Sequence, residues 1–168
     1  LSLPEAIPTK AVETSSEMLD EVLENVNDCD IFISAAAISD YKPSDTLTEK
    51  HKCADGDLNI KLVRGEDILK TAKLKNKNIF AVGFSAETKN IEENAKAKLD
   101  SKKIDMIIAN EANHQKGLGF ESDYNQIVII NESETTTIPL NSKKELAKII
   151  IHKIVSIYKK NLLKIKNA

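Results

Sequence analysis

Ile31-Phe32-Ile33-Ser34-Ala35-Ala36-Ala37 is a short apolar run built from strand-forming and small residues. Such a run is typical of a strand that is buried on both faces of a parallel sheet. Ile79–Phe84 and Met106–Ala109 are two more runs of this kind, and helical patterns at Glu66–Lys75 and Asn90–Lys103 lie between the three runs. This alternation predicts an α/β fold with a doubly wound, mostly parallel sheet.

The two ends of the chain add a first helix, a hairpin and a last helix. A capping box at Thr14-x-x-Glu17 predicts an amphipathic helix of about 13 residues. Gln126–Ile130 and Thr135–Leu140 flank a short polar segment and predict a C-terminal β-hairpin. A second capping box, Ser142-x-x-Glu145, opens a long final helix, whose lysine-rich tail at 159–168 is expected to fray. Since no repeat or linker divides the chain, residues 1–168 are interpreted as a single domain.

Composition excludes several classes of protein. The 168 residues are 41% hydrophobic and 30% charged, with a formal net charge of -2. The chain therefore has no excess of positive charge that would favour binding to nucleic acid. Cys29 and Cys53 have neither metal-ligand nor disulfide spacing, which favours a reducing, cytoplasmic compartment. No apolar run approaches the length of a membrane span and no signal peptide is visible.

Two long polar loops, Asp40–Asn59 and Asn110–Asn125, are the functional candidates. Each follows a predicted parallel strand, and ligands of such sheets bind beyond the carboxyl ends of the strands. At the strand end before the first loop, the small residues Ala35–Ala37 would let a flat ligand approach the backbone, and Asp40 at the start of the loop could bind ribose hydroxyls or Mg²⁺. The alternative is that the alanines serve close packing and Asp40 starts a turn. Lys50 could contact a triphosphate or belong to a solvated loop.

Further candidates lie next to the predicted helices. The helix start at Glu66-Asp67-Ile68-Leu69 could hold a phosphate or a base carbonyl, although the acidic residues there would also favour the helix dipole. Lys98 and Lys102 share one helix face, where an anionic or polar ligand would relieve their repulsion, or where they could simply form a solvated face. The stretch Gly117–Asn125 does not fit a GxGxxG or P-loop spacing and can be purely structural.

Taken in order, these motifs resemble one family. Ser-Ala-Ala-Ala-Ile-Ser-Asp-Tyr-Lys-Pro (34–43), Glu-Lys-His-Lys (49–52), Asp-Ile-Leu (67–69) and Val-Gly-Phe-Ser-Ala-Glu-Thr (82–88) are similar to successive motifs of bacterial phosphopantothenoylcysteine synthetase. Lys-Leu-x-x-Lys-x-x-Asp (98–105), Ile-Ala-Asn (108–110) and Gly-Phe-Glu-Ser-Asp-x-Asn (119–125) continue the series. The similarity extends from Leu1 to about Tyr158.

The resemblance implies a Rossmann-like ligase domain of coenzyme A biosynthesis, homodimeric and often fused to a flavin-dependent phosphopantothenoylcysteine decarboxylase. It implies that 4'-phosphopantothenate is joined to L-cysteine through an acyl-cytidylate. CTP is consumed in this reaction, Mg²⁺ is required, and CMP and pyrophosphate are released. The positions that match nucleotide-contacting residues of the family are Ser34, Ala35, Ala36, Asp40, Lys50, Glu66, Asp67, Ile68, Leu69, Phe84, Lys98 and Lys102. Lys50 matches the lysine needed for the chemistry, and Lys98 and Lys102 match two lysines that discriminate the pyrimidine.

The family domain also has a first strand, a glycine-rich loop and a catalytic asparagine that precede the matched region. We therefore expect residues 1–168 to lack this N-terminal part and to be inactive alone. Two alternatives stay open: a non-catalytic nucleotide-binding or dimerisation module of the same fold, and an unrelated Rossmann-type oxidoreductase, which a GxGxxG motif upstream would indicate.

Overall fold

The computed structural model describes residues 7–45, 57–111 and 122–166. The helices are α1 (Ser15–Asn25), α2 (Ile68–Lys75), α3 (Ile91–Lys102) and α4 (Lys143–Lys166), with a short 3-10 turn at Val26–Asp28. The strands are β1 (Ile31–Ser34), β2 (Tyr41–Pro43), β3 (Leu62–Arg64), β4 (Phe80–Glu87), β5 (Met106–Glu111), β6 (Tyr124–Asn131) and β7 (Thr135–Ser142).

A five-stranded sheet organises the domain, with strand order β1-β4-β5-β6-β7. The strands β1, β4 and β5 are parallel, and their register pairs Ile31 with Phe80 and Val82 with Met106. β6 and β7 return antiparallel to complete the sheet. The prediction of an α/β fold with a mostly parallel sheet, a C-terminal hairpin and a long final helix is confirmed.

Each face of the sheet is covered by helices, as the apolar runs predicted. On one face, alternate strand residues such as Ala81 and Ile107 pack with Leu69 of α2 and Leu99 of α3. On the other face, the intervening strand residues pack against Leu146, Ile150 and Ile154 of α4. The two-sided cover explains why β4 and β5 read as continuous apolar runs and do not alternate with polar residues.

For β1, the prediction of burial on both faces was wrong. None of its residues is fully buried, and Ile33 is 38% exposed. The reason is that β1 comes first in the strand order, so within the described sheet it pairs only with β4.

The predicted helix starts have the expected local chemistry. The backbone N–H of Glu17 donates to Oγ1 of Thr14 (3.1 Å), and the Glu17 carboxylate accepts the amide of Thr14 in return, so the first capping box is complete. At α4, the Glu145 amide donates to Oγ of Ser142 (3.2 Å). α4 extends to Lys166, and the fraying of residues 159–168 stays a prediction.

The region interpreted as one polar loop, Asp40–Asn59, contains secondary structure that sequence reasoning missed. β2 pairs antiparallel with β3, with Tyr41 opposite Arg64, to form a separate two-stranded sheet. All three residues of β2 are exposed, so the strand has no buried apolar pattern for a sequence to display.

Among the described helices, none is long and apolar enough to cross a membrane.

Candidate functional site

A cavity of about 560 Å³ opens where the carboxyl half of β4 meets the start of α2 and the last turns of α3. This is the side of a parallel sheet on which ligands bind. Half of the predicted nucleotide-binding residues line it: Asp40, Asp67, Leu69, Phe84, Lys98 and Lys102. Residues far apart in the sequence therefore meet at one place.

A second cavity of similar size, about 550 Å³, lies along α1 and differs in chemistry. Its lining is mainly apolar and includes Val12, Met18 and Phe32. None of the predicted site residues within the described ranges contributes to it. The charged cavity beside β4 is therefore the candidate for binding a phosphorylated ligand.

Asp67 lines the cavity at the start of α2. It is the N-cap residue, and its Oδ1 accepts the backbone N–H of Lys70 (3.1 Å). Its other carboxylate oxygen pairs with Nζ of Lys102 at 2.9 Å. Just before this residue, the Gly65 amide donates to the backbone carbonyl of Asp40 (2.8 Å), which ties the loop after β1 to the same helix start.

The charge of Asp67 is stabilised in place. Burial raises the pKa of Asp67, but the hydrogen bond from Lys102, the Lys70 amide and the positive charge of Lys102 outweigh it and hold the pKa below its usual range. Asp67 is thus ionised at neutral pH, and Lys102 is fixed at the cavity by a carboxylate that is itself fixed by its helix.

Lys98 is held by a second carboxylate, at the end of β4. Its Nζ donates to Oε1 of Glu87 (2.6 Å) and to Oγ of Ser85 (3.0 Å). The Ser85 hydroxyl donates to the same Glu87 oxygen, and Asn94 Nδ2 donates to the other one (3.2 Å). Burial raises the pKa of Glu87, but the bonds from Lys98 and Ser85, the charge of Lys98 and the bond from Asn94 bring it below its ordinary value.

The floor of the cavity is apolar and tightly packed. A Cβ added to Gly83 would lie 2.7 Å from Cδ2 of Leu69 and 3.0 Å from Cδ1 of Ile104, closer than van der Waals contact allows. The glycine therefore lets α2 approach β4. Beside it, Phe84 keeps 39% of its surface exposed, so an aromatic face is available to a ligand.

The other predicted residues that the structure describes do not line this cavity. Ser34 is half-buried at the end of β1, Ala35 and Ala36 after it are exposed, and Glu66 is exposed before α2. Ile68 is 3% exposed and belongs to the core. Lys50 lies outside the described residues. The roles assigned to these positions stay predictions.

Sequence reasoning missed Tyr41, Arg64, Lys70 and Ser101, which also line the cavity. Arg64 had a visible signal, because it is the only arginine among 24 basic residues. Tyr41 and Arg64 reach the site only because β2 pairs with β3, and no pattern in the sequence indicated that pairing.

For a metal ion, the described part of the chain offers no group of three or more His, Cys, Asp or Glu side chains. Asp40 contributes one exposed carboxylate to the cavity. One carboxylate suffices for Mg²⁺ when phosphate oxygens and water complete the octahedron. The donor set therefore fits an ion that is delivered with a nucleotide, and it does not fit a site made by protein alone.

Residues 1–158 match the model of the DNA/pantothenate metabolism flavoprotein C-terminal domain. The chain belongs to this family. It is 36% identical over 163 residues to the coenzyme A biosynthesis bifunctional protein CoaBC of Vibrio vulnificus, covering 92% of this chain and 40% of that protein. CoaBC of Bacillus subtilis is 35% identical over 158 residues, covering 94% of this chain and 38% of its own length.

Two solved structures have the same fold. The C-terminal domain of a CoaBC protein superposes with a TM-score of 0.77 at 30% identity, covering 95% of this chain and 70% of that one. A Cab2 mutant in complex with phosphopantothenate-cysteine gives a TM-score of 0.68 at 17% identity, covering 89% of this chain and 52% of that one. The chain spans about 40% of the length of the curated relatives it matches.

Proposed function

We propose that this chain contributes the nucleotide site of a cytoplasmic phosphopantothenate–cysteine ligase of coenzyme A biosynthesis. The observation that carries the proposal is the cavity beside β4, where Lys98, Lys102, Phe84 and Asp67 meet at the carboxyl side of a parallel sheet. Relatives that share the family are coenzyme A biosynthesis proteins, and a protein of the same fold binds phosphopantothenate-cysteine.

The cavity is suited to a pyrimidine nucleotide. Lys98 and Lys102 are one helical turn apart on α3 and present hydrogen-bond donors without acceptors, which fits the carbonyl and ring-nitrogen acceptors of cytosine. The exposed ring of Phe84 offers a surface against which a base or ribose can pack. CTP is the nucleotide proposed on these grounds.

In the proposed reaction, the carboxylate of 4'-phosphopantothenate attacks the α-phosphorus of CTP and pyrophosphate leaves with the electron pair of the broken P–O bond. The amine of L-cysteine then attacks the carbonyl carbon of the acyl-cytidylate and loses a proton, and CMP leaves. Both steps need positioning and stabilisation of negative charge, and neither needs a nucleophile from the protein.

Cationic side chains on this chain supply that stabilisation. Lys50 is proposed to contact the reacting phosphates, and Arg64 lines the cavity as a further cation. Asp40 would hold Mg²⁺, which when bound neutralises charge on the phosphate oxygens.

Two partnerships are also proposed. Because the CoaBC relatives are bifunctional, the full-length protein is proposed to carry, or associate with, a flavin-dependent phosphopantothenoylcysteine decarboxylase. The ligase itself is proposed to be a homodimer, as the family resemblance implies. Sedimentation of the purified protein tests the second proposal directly.

The decisive experiment is an assay of the full-length protein with 4'-phosphopantothenate, L-cysteine and CTP. Formation of CMP, pyrophosphate and phosphopantothenoylcysteine in equal amounts is expected. CTP binding without turnover would contradict the ligase and favour the non-catalytic nucleotide-binding module. Omission of cysteine serves as the control, since it should stop CMP release while pyrophosphate still forms once per site.

A further inference from the structure

Glu87 lies just outside the cavity but is bonded to a residue that lines it. Its side chain is only 11% exposed, whereas that of its partner Lys98 is 47% exposed. The Glu87 carboxylate accepts from Lys98, Ser85 and Asn94. Asn94 is anchored in turn, because its Nδ2 also donates to the backbone carbonyl of Lys89 (3.0 Å). The carboxylate is therefore a fixed point and not a mobile surface group.

The fixed carboxylate determines what Lys98 can offer a ligand. An ammonium group has three N–H donors. Within the described residues, two of them are used, one on Glu87 Oε1 at 2.6 Å and one on Ser85 Oγ at 3.0 Å. One N–H is left for a ligand in the cavity that Lys98 lines. A lysine side chain without such partners would instead rotate freely, and its ammonium group would act as a point charge without a preferred donor direction.

We infer that Glu87 is a positioning residue for base selection: together with Ser85 it orients the Lys98 ammonium so that one directed N–H reads an acceptor on the base. A donor with a fixed direction discriminates between bases, because only a base that places an acceptor in line with this N–H can form the hydrogen bond. This inference rests on the proposed function, because the proposed function is what assigns nucleotide binding to the cavity.

The charge balance supports a role in selection over a role in general affinity. The Glu87 carboxylate neutralises Lys98, so the pair adds little net attraction for a triphosphate. CTP and ATP carry the same triphosphate, so any change of electrostatic attraction affects both nucleotides alike. The ratio of the two affinities therefore isolates the effect of Glu87 on recognition of the base.

The test is equilibrium binding of CTP and of ATP to the full-length protein, without 4'-phosphopantothenate or cysteine. Glu87→Gln keeps the size of the side chain and removes its charge, and we expect the CTP-over-ATP affinity ratio to fall about tenfold, which corresponds to about 1.4 kcal/mol. Glu93→Gln is the matched control, because it removes the same charge from an exposed position in the first turn of α3 and should leave the ratio within about twofold.

Two further variants show whether Glu87 acts through the lysine. In a Lys98→Met background, Glu87→Gln should change the ratio less than twofold, because the group it orients is gone. Ser85→Ala removes the other anchor and should lower the ratio in the same direction, so the inference stays testable even if Glu87→Gln does not fold.

An unchanged ratio in folded Glu87→Gln, or an equal fall in the presence and absence of Lys98, would overturn the inference, and so would equal affinity of the unmutated protein for CTP and ATP. Selective CTP binding by a protein that forms no phosphopantothenoylcysteine would overturn the proposed function alone.

Discussion

Asp67 stabilises the fold in two ways that substitution can separate. It caps α2 through the Lys70 amide, and it pairs with Lys102 of α3. Loss of an N-cap costs about 1 kcal/mol. The ion pair is partly exposed, with 37% of the Asp67 side chain and 30% of the Lys102 side chain accessible, and such a pair contributes about 0.5 kcal/mol.

We therefore expect Asp67→Ala to lower the free energy of unfolding by about 1.5 kcal/mol. Asp67→Asn should lower it by only about 0.5 kcal/mol, because asparagine caps helices as well as aspartate does but carries no charge. Urea unfolding measures both. With a slope of about 2 kcal/mol per molar, the midpoints should fall by about 0.75 M and 0.25 M. Asp100→Asn removes the same charge from an exposed position on α3 and serves as the control.

The effect of Asp67→Asn should also depend on pH. Because folding lowers the pKa of Asp67, the charge stabilises the protein above the unfolded pKa of about 3.9 and loses this effect as the pH falls through the folded value. The difference between the unmutated protein and Asp67→Asn should thus vanish in acid. Equal destabilisation by Asn and Ala at neutral pH would refute the separation into a cap and an ion pair.

Three further variants test the site. Changing both Lys98 and Lys102 to Ala should reduce the preference for CTP over ATP, measured as the ratio of kcat/KM values; equal values in the unmutated enzyme would contradict this assignment. Gly83→Val should destabilise the fold by about 1–3 kcal/mol in urea unfolding, because Leu69 must move. Lys50→Met should cut ligase turnover by about 10²–10³ without changing the thermal midpoint, and normal single-turnover formation of acyl-cytidylate would argue against its role.

The centre of the sheet was predictable because β4, β5 and the second half of β6 are buried on both faces. Burial imposes continuous apolar runs, and these runs are visible without knowledge of their neighbours. The β2–β3 pair was not predictable, since each strand has only three residues and none of the six is fully buried. The start of α2 was predicted two residues early, at Glu66, whereas the helix begins at Ile68 because Asp67 is its N-cap.

The site was predictable in its helical spacing but not in its charge balance. The sequence placed Lys98 and Lys102 on one helix face, and the structure brings both to one cavity. From the sequence, either a ligand relieves their repulsion or they form a solvated face, yet in the structure Glu87 and Asp67 already neutralise them. Those carboxylates come from a strand and from another helix, so the pairing depends on tertiary structure that local spacing does not contain.

The change from parallel to antiparallel strands within the sheet has a consequence for how the domain folds. The antiparallel half pairs residues that are near neighbours in the chain, such as Ile130 with Thr135, whereas β1 joins β4 through Ile31 and Phe80. Closing the longer loop costs about 2 kcal/mol more in chain entropy. The hairpin with α4 is therefore expected to form before the rate-limiting step and the ligand cavity after it. Substitutions in the cavity should then speed unfolding and leave the refolding rate almost unchanged.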